Sequence, residues 1–245
     1  VGINATRLFS VLYHRTLNVG RVMTPTLALI VQREAEIGAF RPEAFYTVNL
    51  RCGDFAAVSE KFKEKAEADA LAAACAGQPA TVRTVQRTEK TEKAPLLYDL
   101  TALQREANRS LGYTAQQTLD YLQALYEKKL CTYPRTDSRY LTDDMEGGVN
   151  ALALCCAGVC GAEPPADVCS EQVCSSKKVS DHHAVVPTMA AGETDLETLL
   201  AGEREILRLV SRQVLMAVSA PFVYLETEAR LDCGGNALGS YIAKL

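Results

Sequence analysis

A long run of helix-type sequence lies between two strand-type stretches, and that arrangement restricts the fold more than any other feature of the chain. From about Leu96 to Ala220 the apolar residues recur at helical spacing, and the breaks carry helix-ending or helix-starting residues. Leu100 to Leu111 reads as a helix stopped by Gly112. Thr114-Ala115-Gln116-Gln117 is a capping-box pattern that opens a second helix through Leu119, Leu122 and Leu125. The short turn at Gly112-Tyr113 resembles the start of a helix-turn-helix unit. Lys129 to Tyr133 reads as a short strand closed by Pro134, another helix is expected from Thr142, and residues 158–180 read as a loop region. Glu203 to Ala220 predicts an amphipathic helix with Ile206, Leu209, Val210 and Val214 on one face.

The flanks differ. Ile3 to Arg15 predicts a helix, and Thr24-Pro25 the start of another, with threonine as the cap and proline at the first helical position. Leu27, Ile30, Val31 and Ile37 follow along one side, and Gly38 is the expected end. Tyr46, Val48 and Leu50 alternate as a strand, and Ala66 to Cys75 is an alanine-rich helix. Ala80 to Thr88 is extended, and the polar stretch Glu89 to Pro95 reads as a domain crossing. After the block, Phe222 to Leu231 and Leu238 to Leu245 read as strands around a Gly234-Gly235-Asn236 turn. The expected fold class is therefore α+β and multi-domain. A β-rich domain of residues 43–94 and 221–245 is interrupted by an inserted, mainly helical domain of residues 95–220, with a helical segment over 1–42.

Charge is informative only locally. The net charge of −4 gives no general reason to expect nucleic acid. Residues 1–42, however, carry five arginines (Arg7, Arg15, Arg21, Arg33 and Arg41) against Glu34 and Glu36, and residues 83–139 carry ten basic against seven acidic side chains. Such segments suit a phosphate-lined surface and equally suit solvated helix faces. No apolar run is long enough to cross a bilayer, and no signal peptide opens the sequence. A chain that begins at Val1 and stops at Leu245 within a strand-type stretch is expected to be part of something longer. Of nine cysteines, Cys155, Cys156, Cys160, Cys169 and Cys174 crowd together without a C-x-x-C pair, which favours thiols in a reducing cytoplasm over a zinc site.

The stretch with most chemistry is Cys131-Thr132-Tyr133-Pro134-Arg135-Thr136-Asp137-Ser138-Arg139-Tyr140-Leu141. Pro134 holds the backbone extended, so Tyr133 and Arg135 point to the same side. A phenol oxygen that attacks a phosphodiester needs positive charge beside the phosphate, and a guanidinium supplies it through two parallel hydrogen bonds. Asp137 could orient that arginine or cap the following turn. Taken as residues alone, the stretch fits a strand end followed by an ordinary polar turn at least as well.

Four blocks tilt the reading. Thr132 to Leu141 resembles the active-site signature of type IA DNA topoisomerases, and the proline after the tyrosine suits the bacterial topoisomerase III kind. Gly20-Arg21-Val22-Met23-Thr24-Pro25-Thr26-Leu27 is similar to that family's Gly-Arg-Val-Gln-Thr-Pro-Thr-Leu opening, with Met23 in place of glutamine. Asp181-His182-His183-Ala184-Val185-Val186-Pro187-Thr188 resembles its His-His-Ala-Ile-Ile-Pro-Thr segment, and Asp99 to Asn108 the start of its inserted helical domain.

The resemblance implies a toroidal enzyme that passes one DNA strand through a break in another, without ATP, through a 5′-phosphotyrosine. Tyr133 would be the nucleophile, Arg135 would neutralise the scissile phosphate, and His182 would contact the phosphate or assist proton transfer. Arg21, Arg7, Thr24, Asp137, Arg139 and His183 would serve DNA binding; Arg7 is an equally good surface charge, and Tyr140 either stacks on a base or packs in a core. The β-rich domain would be the arch, and Ala94-Pro95 and Ala220-Pro221 the hinges that open the gate. Mg²⁺ would serve the full-length enzyme from an N-terminal Toprim domain, with none bound by this chain, which alone is expected to cleave poorly. Single-stranded or negatively supercoiled DNA is the implied partner, a helicase a candidate one, no membrane is involved, and the location is the bacterial cytoplasm at the nucleoid. Competing readings are a non-enzymatic helix-turn-helix DNA-binding module and a structural fragment. A recombinase or relaxase is disfavoured because neither a His-x-x-Arg box nor a relaxase histidine pair is present.

Overall fold

Helix formation in the first forty residues proceeds without a core beneath it. The computed structural model describes residues 2–53, 55–233 and 235–244. In it α1 (Gly2–Leu12) and α2 (Met23–Ala39) bury no residue. The connection is tied back to α1 by side chains: the Thr6 hydroxyl accepts the Val19 N–H at 2.9 Å, and the Ser10 hydroxyl accepts that of Leu17 at 3.0 Å. Thr24 is not the cap that the sequence suggests. The helix starts at Met23, two residues before the expected Pro25, the Thr24 N–H already bonds to the Gly20 carbonyl, and the Thr24 hydroxyl accepts the Gly20 N–H at 3.0 Å. Pro25 is thus the third helical residue, where its missing N–H leaves nothing unpaired because the first turn has no intrahelical acceptors. The helix also continues through Gly38 to Ala39 and ends where Phe40 turns extended.

Two compact units follow from the chain's contacts, Val1–Val85 with Glu228–Tyr241 and Gln86–Thr227 with Ile242–Leu245. In the first, β1 (Asn49–Cys52) and β2 (Phe55–Val58) form an antiparallel hairpin with Leu50 opposite Ala57. Tyr46 lies outside β1 and forms an isolated bridge to Phe62. Next come α3 (Lys65–Cys75) and β3 (Ala80–Glu92). The core of this unit is small, with Cys75 and Cys233 enclosed against Leu50 and Leu71. β3 outlasts the expected Thr88 and takes in Glu89–Glu92 of the polar stretch, and the division between the two units falls inside it, between Val85 and Gln86. Every residue of β3 is exposed, and backbone pairing with β4 (Phe222–Cys233) supports it instead of an apolar face. β5 (Asn236–Lys244) completes a sheet ordered β3-β4-β5. In the turn before it, Gly235 takes a φ of +80°, open to glycine, while Gly234 lies outside the described residues.

The second unit holds α4 (Leu100–Leu111), α5 (Ala115–Glu127), α6 (Val149–Cys160), the single turn α7 (Ala190–Glu193) and α8 (Ala201–Val218). Two of its helices open on side-chain caps, of which the sequence pattern anticipates the one at Thr114. The Asp99 carboxylate accepts the Ala102 N–H at 2.6 Å, and Thr114 and Gln117 form a reciprocal capping box at 3.1 and 2.9 Å. Thr142 precedes a 3₁₀ turn, Asp143–Gly148, that leads into α6. α8 is the centre of the unit. Its Ile206, Leu209 and Val210 pack with Leu103, Leu122 and Leu125, whereas Val214, Ala217 and Val218 pack with Leu97, Leu141 and Val149. Close approach of α5 and α8 depends on Gly202, because a Cβ there would lie 2.3 Å from the Tyr121 ring. No helix among the described residues is long and apolar enough to cross a membrane.

Candidate active site

The path to Tyr133 begins at the end of α5. Lys129 adopts a left-handed φ of +62°, and the Leu130 N–H closes back on the Leu125 carbonyl at 2.8 Å. Lys128, one residue earlier, is anchored by a 2.5 Å ion pair to Glu203 of α8, whose side chain is only 3% exposed. The chain then runs beside residues 184–188. The Thr188 N–H donates to the Leu130 carbonyl, Cys131 bridges Pro187, and the Thr132 N–H donates to the Val186 carbonyl. The strand expected over Lys129 to Tyr133 thus shrinks to an isolated bridge. On one side the next ladder donor would be Pro134, which has no N–H, and on the other the Leu130 N–H is already given to the Leu125 carbonyl, so the ladder propagates in neither direction.

Threonine hydroxyls replace the missing ladder. Thr132 Oγ1 donates to the Ala184 carbonyl at 3.2 Å and accepts the Val186 N–H at 3.0 Å. Thr136 Oγ1 donates to the His182 carbonyl at 2.8 Å and accepts the Ser138 N–H at 3.1 Å. Between these two sutures Pro134 is buried and Tyr133 is half-buried. The Tyr133 ring lies 4.4 Å from that of His182, centroid to centroid, and meets Tyr126 edge-on at 5.6 Å. His182 itself is exposed, so its ring flanks the phenol on the solvent side of the loop. Arg135 is exposed and forms no ion pair among the described residues, which leaves its guanidinium open to an anion.

The other sequence-selected residues fall into different settings. The Asp137 carboxylate accepts the Ser180 hydroxyl at 2.7 Å instead of orienting Arg135. Arg139 turns inward: its Nε donates to the Leu97 carbonyl at 2.9 Å, which locks the active loop to the entry of α4. His183 Nδ1 sits 2.8 Å from the Ala184 carbonyl and is half-buried, a structural setting unlike that of His182. Tyr140 neither packs in the core nor lies free, since Lys178 Nζ meets its hydroxyl at 3.1 Å and its ring centroid at 4.3 Å. Arg7, Arg21 and Thr24 belong to the first unit, where Arg21 and Thr24 are exposed; Tyr133, His182 and Arg135 gather on one loop pair of the second.

Sequence reasoning missed Thr132, Thr136, Ser138, Tyr126 and Lys178. The flanking threonines were visible as two hydroxyls bracketing Tyr133-Pro134-Arg135, but threonine has many uses and spacing alone assigns none. The cysteines read as thiols are free among the described residues, and burial pushes Cys131 up to about 12 and Cys156 higher still. Among the described residues no group of three or more His, Cys, Asp or Glu converges to hold a metal. The magnesium implied by the resemblance therefore has no matching donor set on these residues. What they supply themselves is a phenol, a guanidinium and an imidazole.

A tyrosine held beside an imidazole, with a free guanidinium two residues on, makes a protein suited to nucleophilic attack on a phosphoryl group. The family model described as DNA topoisomerase matches residues 1–244, and the chain belongs to that family. It is 36% identical over 250 residues to DNA topoisomerase 3 of Bacillus licheniformis, covering 96% of this chain and 34% of the relative. The same identity and shares hold over 254 residues for DNA topoisomerase 3 of Bacillus subtilis. The chain thus spans about a third of the length of the curated relatives it matches. Full-length topoisomerase I from Thermotoga maritima shares the fold, with a TM-score of 0.69 and 24% identity over 94% of this chain and 39% of that one.

Proposed function

We propose that these residues form the cleavage and gate portion of an ATP-independent type IA DNA topoisomerase, with Tyr133 as the nucleophile. The observation that carries the reading is the contact of Tyr133 with His182 at 4.4 Å, in a chain of the DNA topoisomerase family. The phenol oxygen attacks a backbone phosphorus, the P–O3′ bond breaks, and the phenolic proton ends on the 3′-hydroxyl that leaves. The 5′ end stays on the protein as a phosphotyrosine, so reversal by the same hydroxyl reseals the strand without ATP. Arg135 neutralises charge on the scissile phosphate, and the His182 ring beside the phenol contacts the phosphate or passes the proton. Arg7, Arg21 and Thr24 hold the single strand away from the cut. Magnesium belongs to acidic residues outside this chain, and the hinge of the gate lies at Ala94-Pro95 and Ala220-Pro221. A single-stranded or negatively supercoiled DNA substrate sets the work at the bacterial nucleoid, with a helicase as a candidate partner.

The test assays a full-length protein containing these 245 residues on negatively supercoiled DNA with magnesium, beside its Tyr133→Phe variant, and traps adducts with detergent. Relaxation with a 5′-linked adduct, both lost in the variant, is the expected result. DNA binding with neither relaxation nor adduct would reduce the chain to a binding module.

A further inference from the structure

Away from Tyr133, the face of the helical unit formed by α4 and α8 gathers arginines for which the cleavage chemistry has no use. A cavity of about 520 Å³ is lined there by Arg105, Arg109, Arg139 and Arg212, with Glu106, and Tyr98 at its wall. A second hollow of about 330 Å³ adjoins it and holds Arg208, Glu205 and again Arg212, so Arg212 joins the two. Five arginines thus face two glutamates in a chain whose net charge is −4. The two glutamates are partly committed to their own helices, Glu106 to Arg109 at 2.5 Å and Glu205 to Arg208 at 3.6 Å. Arg105 and Arg212 are exposed and enter no ion pair among the described residues. Four unpaired or half-paired guanidiniums on one face repel one another, and an anion between them relieves that repulsion.

Helical periodicity says what shape of anion fits. Arg105 and Arg109 are one turn apart on α4, and Arg208 and Arg212 are one turn apart on α8. Each pair is offset by about 6 Å along its axis. Two such ladders offer guanidiniums in series, which suits the successive phosphates of a flexible single strand better than one compact ion. Arg139 connects this face to the active loop. Its Nε holds the Leu97 carbonyl, while its side chain also lines the larger cavity.

The geometry points to a second DNA-backbone site on the α4–α8 face, distinct from the loop of Tyr133, which grips a further stretch of single strand through Arg105, Arg109, Arg208 and Arg212. This rests on the proposal that DNA is the substrate. A strand bound here touches the residue that locks the active loop to α4, so occupancy and the position of the loop are linked.

The experiment measures anisotropy of a fluorescein-labelled oligothymidylate on the 245-residue chain, across a salt series, for the wild type and for R105A/R212A. Neither residue belongs to the cleavage machinery, and both side chains are exposed, so circular dichroism melting should be unchanged. The double variant should bind about tenfold more weakly, and its log–log salt slope should be shallower by roughly 1.4, about 0.7 for each single-strand phosphate no longer neutralised. R105K/R212K should recover most of the slope but less of the affinity, since a lysine keeps the charge without the paired donors. Equal affinity and slope in wild type and R105A/R212A, or no binding by the wild type, would overturn the site. A second arm titrates inorganic phosphate alone into both proteins at constant ionic strength. Binding of inorganic phosphate alone that is lost in R105A/R212A, with oligothymidylate bound equally by both proteins, would assign the pocket to free phosphate and overturn the DNA assignment. A full-length protein that neither relaxes nor cleaves DNA sinks the reading of Tyr133, whereas the anisotropy contrast still reads this face on its own.

Discussion

Replacing Thr136 with valine removes one oxygen and nearly nothing else, yet that oxygen joins the two segments that meet at Tyr133. Thr136 is 8% exposed, and its hydroxyl both donates to the His182 carbonyl and accepts the Ser138 N–H. Valine fills the same space but satisfies neither group. His182 is exposed, so its carbonyl can recruit water, and its share of the loss is about 0.5 to 1 kcal/mol. Ser138 is 4% exposed, so its N–H is left buried without an acceptor, at about 1 to 2 kcal/mol. Together these give about 2 kcal/mol, or about a 30-fold rise in hydrogen exchange at the Ser138 amide if exchange proceeds through local opening of this loop. Urea unfolding followed by circular dichroism should report a lower midpoint with an unchanged slope. DNA cleavage by the full-length protein should fall further than the folded fraction does, because His182 is no longer held against the phenol. Thr136→Ser, which keeps the oxygen, should restore both readouts to within about 1 kcal/mol. A Thr136→Val protein with an unchanged midpoint, unchanged Ser138 exchange and unchanged cleavage would show that the hydroxyl does not join the segments, and the argument for a sutured site would fall.

Two further predictions concern the same unit. Lys128→Ala leaves the buried Glu203 carboxylate with the Leu200 N–H but no counter-charge and should cost about 3 kcal/mol, whereas Glu203→Gln leaves a half-exposed lysine that water can solvate and should cost clearly less; thermal denaturation that ranks the two in the opposite order would refute the assigned burial. Alkaline pH should destabilise the unit. Burial raises the folded Cys131 thiol from 9.0 to about 12 and Tyr98 from 10.0 to about 12, so between those values the unfolded chain loses protons that the folded one keeps. That stability is fully present below about pH 9 and drains away as pH climbs toward 12, and a midpoint that holds constant from pH 8 to 11 would contradict it.

Parts of this molecule were legible as text. The capping box at Thr114, the stop at Gly112 and the apolar spacing of α8 predicted helices that the structure contains. Their hydrogen bonds close between residues three or four apart, so the determining information is local. The blocks around Arg21, Asp99, Tyr133 and His182 indicated the family for a related reason: short runs of residues in order are features of the text itself.

Element ends were less legible. Thr24 looks like a cap and is instead the second residue of a helix, and Glu89 to Glu92 look like a linker yet extend β3. For β3 the deciding partner is β4, far along the chain, which composition does not reveal. For α2 the Thr24 bonds run only to Gly20, so a cap-like threonine and proline simply sit in the first turn of a helix that starts at Met23. The site depended still more on tertiary structure. Tyr133 and His182 are far apart in sequence, and they meet because two loops without a ladder, each interrupted by a proline, are stitched by Thr132 and Thr136 over the core beneath α8. The same holds for the arginines of α4 and α8, which read as ordinary solvated charges one helix at a time. By itself the sequence determined which residue types could do phosphoryl chemistry and which stretches would be helical. Only the packed chain decided which imidazole stands beside the phenol, which arginines share a cavity and which threonine hydroxyls hold the loops, because those contacts form between surfaces that do not exist until the core has closed.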